Sequence, residues 1–329
     1  MSRYIIKQKL KSLFSFLIIL ILFPYIVSVF VNGTQTRLGS AENAPYVTVK
    51  TERDDGDEEV SEVKWTEYLA GILAKEMPGD YEMEALKAQV ILIRTSLYRE
   101  LENSEDKVLG EGYISLNEME AMWNREEFDR YYTKYTDAVE ATDDMVLFYN
   151  GTYAWTPFHQ SSAGMTRSAE EVTGSGEYPY LKAKECPLDK EAEDEMHIYT
   201  FSYEEIQKLC RDFLVAEEGE ERAEEGYSFS DLEIQEKDSA GYVSRMRIGQ
   251  TTCTGDQFRD ALSLSSSAFS FSESGDGLQI TATGNGHGLG MSQWTANEMA
   301  KEGNACHEIL NFFFEGTTIN SEIQETELL

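Results

Sequence analysis

Basic residues are scarce: 28 Lys and Arg stand against 60 Asp and Glu, a formal charge of −32 over 329 residues. That balance excludes a nucleic-acid binder resting on a basic surface, and it opposes docking onto anionic lipid by charge. Cysteine is equally thin, with four in all and no C-x-x-C. No disulfide scaffold, zinc knuckle or thioredoxin-type dithiol is therefore encoded. H-E-x-x-H, G-x-S-x-G and G-x-x-x-x-G-K-[ST] are missing, and His159, His197, His287 and His307 show no local metal-ligand spacing. What is present suits a folded chain: 41% of residues are hydrophobic and 12% aromatic, at a length for one large domain or two small ones.

The few positive charges are unevenly placed. Residues 1–11 hold Arg3, Lys7, Lys9 and Lys11 without an acid, and Leu13 to Val31 then runs without any charge. At about 1.5 Å per residue that run nearly crosses a hydrocarbon core of ~30 Å, and the preceding cations hold the N-terminus inside. The expected organisation is a cytoplasmic tail (1–11), a single-pass anchor in the cell membrane (12–31), a polar tether (32–44), an exported domain (45–318) and a polar tail (319–329). A cleaved signal peptide is the competing reading, although no A-x-A site follows. Without its four basic residues the exported part carries 24 − 60 = −36.

Within it, 45–51 alternates as a first strand, and the acidic stretches 52–62 and 217–225 read as solvated loops. Helical and strand patterns mix without a regular βαβ alternation, which predicts an α+β fold rather than a doubly wound sheet. A helix is expected over Lys64–Lys75, with the stripe Trp65, Leu69, Ile72 and Leu73, stopped by Pro78. Glu76 lies eleven positions after Trp65, seven after Leu69 and four after Ile72, within about 40° of all three at ~100° per residue. A carboxyl on an apolar face at the negative end of a helix dipole has a raised pKa, the profile of a general acid. The structural alternative is a Glu that ends its helix by turning to water or to a Lys. A second helix starts near Asp80, with Leu86, Val90, Ile93, Leu97 and Leu101 as its core face and Arg94 at the margin, aimed into a groove or held in an ion pair. Residues 98–140 read as helical. Asn150-Gly151, between Met145–Tyr149 and Thr152–Phe158, is a hairpin turn, after which His159 enters a small-residue loop. Gly284-Asn-Gly-His287-Gly-Leu-Gly290 lets backbone approach either a ligand or another strand.

Read together, these segments resemble the stage II sporulation protein D family, which includes peptidoglycan lytic transglycosylases of sporulation. The matching pieces run in family order from Glu67-Tyr-Leu-Ala-Gly and Glu76-Met-Pro to Glu84-Ala-Leu-Lys-Ala-Gln89, Arg94-Thr and Tyr149-Asn-Gly. Phe158-His159, Gly164, Thr166, Pro179-Tyr180-Leu-Lys182, Phe258-Arg-Asp-Ala-Leu, Gly286-His287-Gly-Leu-Gly-Met-Ser292-Gln-Trp294 and Glu315-Gly-Thr317 follow. The resemblance spans roughly 45–318. It implies a catalytic domain of mixed helices and antiparallel hairpins forming a groove for glycan strands. Glu76 takes the place of the catalytic acid, and Arg94, Tyr180 and Lys182 line the groove, with Gln89, His159, His287 and Ser292 completing the expected substrate-binding set. Implied too are cleavage between N-acetylmuramic acid and N-acetylglucosamine to a 1,6-anhydro end, no cofactor, and no nucleic-acid partner. The implied partners are the amidase stage II sporulation protein P and the membrane protein stage II sporulation protein M. Related domains act instead as non-cutting enhancers of cell-wall amidases. Some members bind zinc through a Cys after the His; Ser162 stands there in this chain, so no such metal site is expected.

Overall fold

The computed structural model of the chain describes residues 46–52, 58–110, 112–193, 195–214, 227–275 and 277–321. The chain divides into two units, Met1–Pro45 and Tyr46–Leu329. The expected tail, anchor and tether all lie outside the described residues, as does the acidic run 217–225. Among the described residues no helix is long and apolar enough to cross a membrane.

The second unit opens on strands β1 (Tyr46–Glu52) and β2 (Glu58–Lys64), antiparallel and in register from Tyr46 opposite Lys64 to Glu52 opposite Glu58. The acidic stretch 52–62, expected as loop, is therefore partly strand. Val47 and Val49 on β1 are buried, and the ladder satisfies the backbone of β2 whatever its side chains carry. Helix α1 (Trp65–Glu76) follows, with Trp65, Leu69, Ile72 and Leu73 buried as its stripe requires. Helix α2 (Met83–Asn103) starts later than expected: Asp80 is no cap, and the Glu82 N–H donates instead to Asn297 Oδ1 at 2.8 Å. A distant side chain has replaced the local one.

Strand β3 (Val108–Leu109) adds parallel to β1. Helices α3 (Leu116–Met122) and α4 (Arg125–Ala141) start on Ser115 and Asn124, each accepting from first-turn N–H groups. Strands β4 (Val146–Tyr149) and β5 (Thr152–Tyr153) form the expected hairpin, with φ of 52° at Asn150 and 82° at Gly151 as a tight turn of this hand needs. Its second arm is shorter than the pattern implied, because Phe158 belongs to another sheet, in β6 (Phe158–His159).

After α5 (Ala169–Thr173) and a 3₁₀ turn over Pro187–Glu191, a second core is built. Its elements are β7 (Met196–Ser202), α6 (Tyr203–Leu209), β8 (Leu232–Lys237), β9 (Val243–Ile248), β10 (Thr251–Cys253), α7 (Gly255–Leu262), β11 (Phe269–Ser274) and β12 (Gly277–Thr283). They make two antiparallel sheets, β10-β9-β8 and β11-β12-β7, around Met246, Phe258, Phe269, Leu278 and Ile280. The chain then returns to the first core. Strand β13 (Met291–Ser292) lies parallel to β6, α8 (Gln293–Lys301) and α9 (Cys306–Phe313) pack on α2, and β14 (Thr318–Asn320) pairs with β4. The polar tail expected from 319 thus begins inside a strand, since Ile319 and Asn320 pair with Leu147 and Val146. The α+β reading stands.

Arg167 joins the two cores. Its backbone N–H donates to Gly288 O at 2.7 Å on the first-core side. Its guanidinium reaches Asp238 at 2.7 Å and Asp256 at 2.8 Å on elements of the second core, over the Tyr242 ring. Both Arg167 and Asp238 are buried. Removing one partner of a buried pair leaves an uncompensated charge. Arg167→Ala is expected to cost about 3–5 kcal/mol, read as a lowered midpoint in chemical denaturation; an unchanged midpoint would refute the clasp.

Candidate active site

Glu76 is the last residue of α1, and Pro78 fixes where the helix stops by having no N–H to donate. Its carboxyl is half-buried, and burial pushes its pKa above the ordinary Glu value against a smaller opposing pull from Lys75. Among the described residues no hydrogen bond holds that carboxyl, so its proton is available to a ligand.

Two depressions border this part of the chain. One, of about 300 Å³, is largely apolar and is lined by Tyr68 and Ile72 of α1, Ile93 and Leu97 of α2, and Phe158. The other, of about 560 Å³, is rich in amides and is lined by Pro78, Tyr81, Gln160, Gln293, Trp294 and Asn297. Along α1 Glu76 falls between Ile72 and Pro78, and along β6 His159 falls between Phe158 and Gln160. The chain order thus carries both segments from the apolar depression to the polar one.

The two histidines come together from residues far apart in sequence, with ring centroids 5.8 Å apart. His159 Nδ1 donates to Leu289 O at 3.0 Å, and the Leu289 N–H donates to His287 Nδ1 at 3.0 Å. His159 thus carries its proton on Nδ1, while His287 leaves Nδ1 bare and is neutral. Burial lowers the pKa of each to about 4; for His287 the neighbouring His159 adds to it. His159 Nε2 is buried without a hydrogen-bond partner. The alternating glycines permit the approach: Gly286 and Gly288 hold φ of 114° and 78°, and a Cβ on Gly286 would stand 2.6 Å from His159 Cβ.

Ser292, the strand partner of His159, leads to a carboxylate that the sequence pattern did not single out. Asp189 is fully buried and accepts from Ser162 N–H at 2.6 Å, Ser162 Oγ at 2.5 Å, Ser292 Oγ at 2.8 Å and Thr295 Oγ1 at 2.6 Å. Burial raises its pKa, and those four donors pull the other way. It ties the loop after β6 to the start of α8 and so sets Gln293 and Trp294 in the wall of the polar depression. Only the partners identify its role, and they come from two segments far apart in the chain.

The comparison with known proteins bears on these same segments. The family described as "Stage II sporulation protein" matches residues 53–149, a stretch that contains Glu76, Gln89 and Arg94. Stage II sporulation protein D of Bacillus subtilis is 30% identical over 275 residues, covering 80% of this chain and 76% of that protein. The Bacillus amyloliquefaciens protein of the same name is 28% identical over 281 residues, 79% of this chain and 75% of its own. The chain belongs to the stage II sporulation protein D family. The Amidase enhancer of Bacillus subtilis is 32% identical over 122 residues, covering 37% of this chain and 15% of that protein.

For this member of the stage II sporulation protein D family, the structure sorts the expected substrate-binding residues. Glu76, His159 and His287 line neither depression themselves; Glu76 is two residues before Pro78, His159 lies between Phe158 and Gln160, and His287 is two residues after Asn285. Gln89 is buried and reaches the polar depression indirectly, accepting from Gln293 Nε2 at 3.3 Å. Four residues are placed otherwise. Arg94 is 1% exposed, and its guanidinium donates to Thr142 Oγ1, Met145 O and Val139 O at 3.1–3.3 Å, pinning α2 to the end of α4. Ser292 is buried under Asp189 and caps α8 through the Thr295 N–H. The Tyr180 hydroxyl accepts from Trp155 N–H at 2.7 Å, and its ring belongs to a third cavity, of about 350 Å³, with Tyr149, Tyr153, Tyr178 and Arg99. Lys182 is 59% exposed, 3.6 Å from Glu315, and lines none of the three. Long polar side chains at a helix margin go where unpaired carbonyls are buried, and periodicity does not locate those carbonyls.

Two outcomes check this arrangement. Arg94→Ala should lower stability by about 2–4 kcal/mol by taking the guanidinium donor from the Met145 carbonyl and emptying a buried site, read by denaturant unfolding. An unchanged unfolding midpoint would return Arg94 to the groove. Below pH 6.5 an unfolded His159 binds a proton that the folded ring refuses until about pH 4. Stability should therefore fall as pH drops from 6.5 toward 4 and level off below. His159→Gln should flatten that slope in thermal melts, and an equal slope would mean that other groups carry it.

Proposed function

We propose that this domain is a lytic transglycosylase acting on peptidoglycan glycan strands, with Glu76 as its acid–base group. The observation that carries the proposal is the Glu76 carboxyl: half-buried, raised in pKa, free of hydrogen bonds among the described residues, and carried on the stretch of chain between Ile72 of the apolar depression and Pro78 of the amide-rich one. Protonated Glu76 donates to the oxygen linking N-acetylmuramic acid to N-acetylglucosamine as an oxocarbenium-like state develops at C1. The resulting carboxylate takes the proton of the muramic C6 hydroxyl while O6 bonds to C1. The products are a 1,6-anhydro end and a free 4-hydroxyl, Glu76 returns to its acid form, and no water enters. One carboxyl group serves both halves because the substrate supplies the nucleophile.

Membership of a sporulation family supports work on the wall during engulfment. The cationic N-terminus and apolar run 13–31 support a single-pass membrane anchor with the domain outside, and peptide-stripped glycans as substrate extend the family resemblance. The same resemblance makes stage II sporulation proteins P and M the partners of this reading. The partial match to an amidase enhancer favours one second reading, a wall-binding domain that stimulates an amidase without cutting.

The full-length chain in detergent, wild type and Glu76→Gln, would be given peptide-free glycan strands and the products weighed. Anhydro-ended fragments should appear with wild type and fall by about 10²–10⁴-fold with Glu76→Gln while binding persists. Wild-type activity should fall as pH rises through a pKa above the ordinary carboxylate range. Fragments one water heavier would mean a hydrolase, with Asp80 in the polar depression as the first second-carboxylate to replace. Binding without cutting by both proteins would favour the enhancer.

A further inference from the structure

Edge strands expose unpaired backbone groups, and proteins blunt them by shortness, charge or bulges. Among the described residues this chain does so at every edge but one. β3 and β5 have two residues, and β10 and β14 have three. β2 carries Glu58, Glu59, Glu62 and Lys64. β8 carries Glu233, Glu236 and Lys237 and shifts register twice against β9, and β11 carries Glu273. β7 has none of these defences. It runs seven residues, Met-His-Ile-Tyr-Thr-Phe-Ser, without charge, proline or glycine, in unbroken register with β12, and its other edge is unpaired among the described residues.

The face it shares is as unusual for so acidic a chain. Met196, Ile198 and Thr200 stand opposite Thr283, Thr281 and Gln279 of β12, and Thr281 and Gln279 stand opposite Ser270 and Ser272 of β11. That side of the sheet therefore carries no charge across three strands, while Phe201, Leu278, Ile280 and Phe269 face the second core. A solvated face calls for polar residues, yet Met196 is 61% and Ile198 64% exposed. Both ends of the strand are acidic: Glu193 and Glu195 precede it, and Glu204 and Glu205 follow.

We propose that β7 is a docking edge for an extended segment of a partner protein, which adds as a fourth strand with an uncharged, alternately apolar centre and basic residues at its ends. Main-chain pairing supplies affinity and the exposed Met196 and Ile198 supply register. Charge selects the partner. A second copy paired antiparallel about Tyr199 would set Met196 opposite Ser202 and bring the acidic residues before the strand toward those that open α6, acid near acid, whereas Lys or Arg at the ends of an added strand meets opposite charge.

The test uses the full-length chain in detergent and a short synthetic peptide of alternating Val and Thr with lysines at both ends. A peptide of the same charge with a central proline serves as control. Saturable binding by fluorescence anisotropy is expected for the first peptide, at least about 10-fold weaker for the proline control, with slowed hydrogen exchange confined to 196–202 and its sheet. Ile198→Lys, on the solvent face, should keep the thermal midpoint and weaken binding by a similar factor. Equal binding of both peptides, protection elsewhere, or no loss with Ile198→Lys would overturn the proposal. Protection of β7 without peptide, together with dimers in sedimentation, would assign the edge to a second copy and overturn it equally.

Discussion

The fold depends on one buried cation. Arg167 lies in the stretch between His159 and Ala169 on the first-core side, and its guanidinium is shared between Asp238 and Asp256 in the second. The same group donates to His287 O at 3.2 Å, so the clasp also holds the glycine-rich loop. Asp256 is fixed in turn by Ser267 Oγ and Arg259, and Asp238 accepts from Ala240 and Tyr242 N–H groups. Taking such charges out of water is costly, and only a nearly complete set of partners offsets it. This network has that set, which is why two sheets with their own apolar core can present a loop of glycines to the helical half in one position.

Asp189 repeats this logic closer to the site. Three hydroxyls and one N–H converge on it from the loop after β6, from Ser292 and from the first turn of α8. The amide-rich depression therefore has a wall supported from behind by a saturated carboxylate, and Gln89 braces Gln293 from α2. Side chains held this way keep their orientation without a ligand, the preorganisation that binding and proton transfer both require. Glu76 differs. It has burial without partners, so its proton is not committed to the protein.

Much of this was legible in the order of residues. The stripe of α1 placed Glu76 on an apolar face, Asn150-Gly151 marked its hairpin, and the glycines around His287 announced a close backbone approach, which is to His159. Errors fell where a distant group intervened. Asp80 lost the cap of α2 to Asn297, the acids of β2 were drawn into a ladder by Val47 and Val49, and Ser292 and Tyr180 were claimed by Asp189 and Trp155. Arg94 is the plainest case, since its carbonyl partners stand 45 and 51 residues away.

By itself the sequence determined the mixed α+β class, the helix that delivers Glu76 and the turn chemistry of the hairpin. Each of these follows from periodicity and dihedral preferences among near neighbours. Only the tertiary structure decided which polar residues meet a ligand and which are consumed inside. A buried donor goes to whichever acceptor folding leaves unpaired, and that acceptor is set by the packing of segments far apart in the chain.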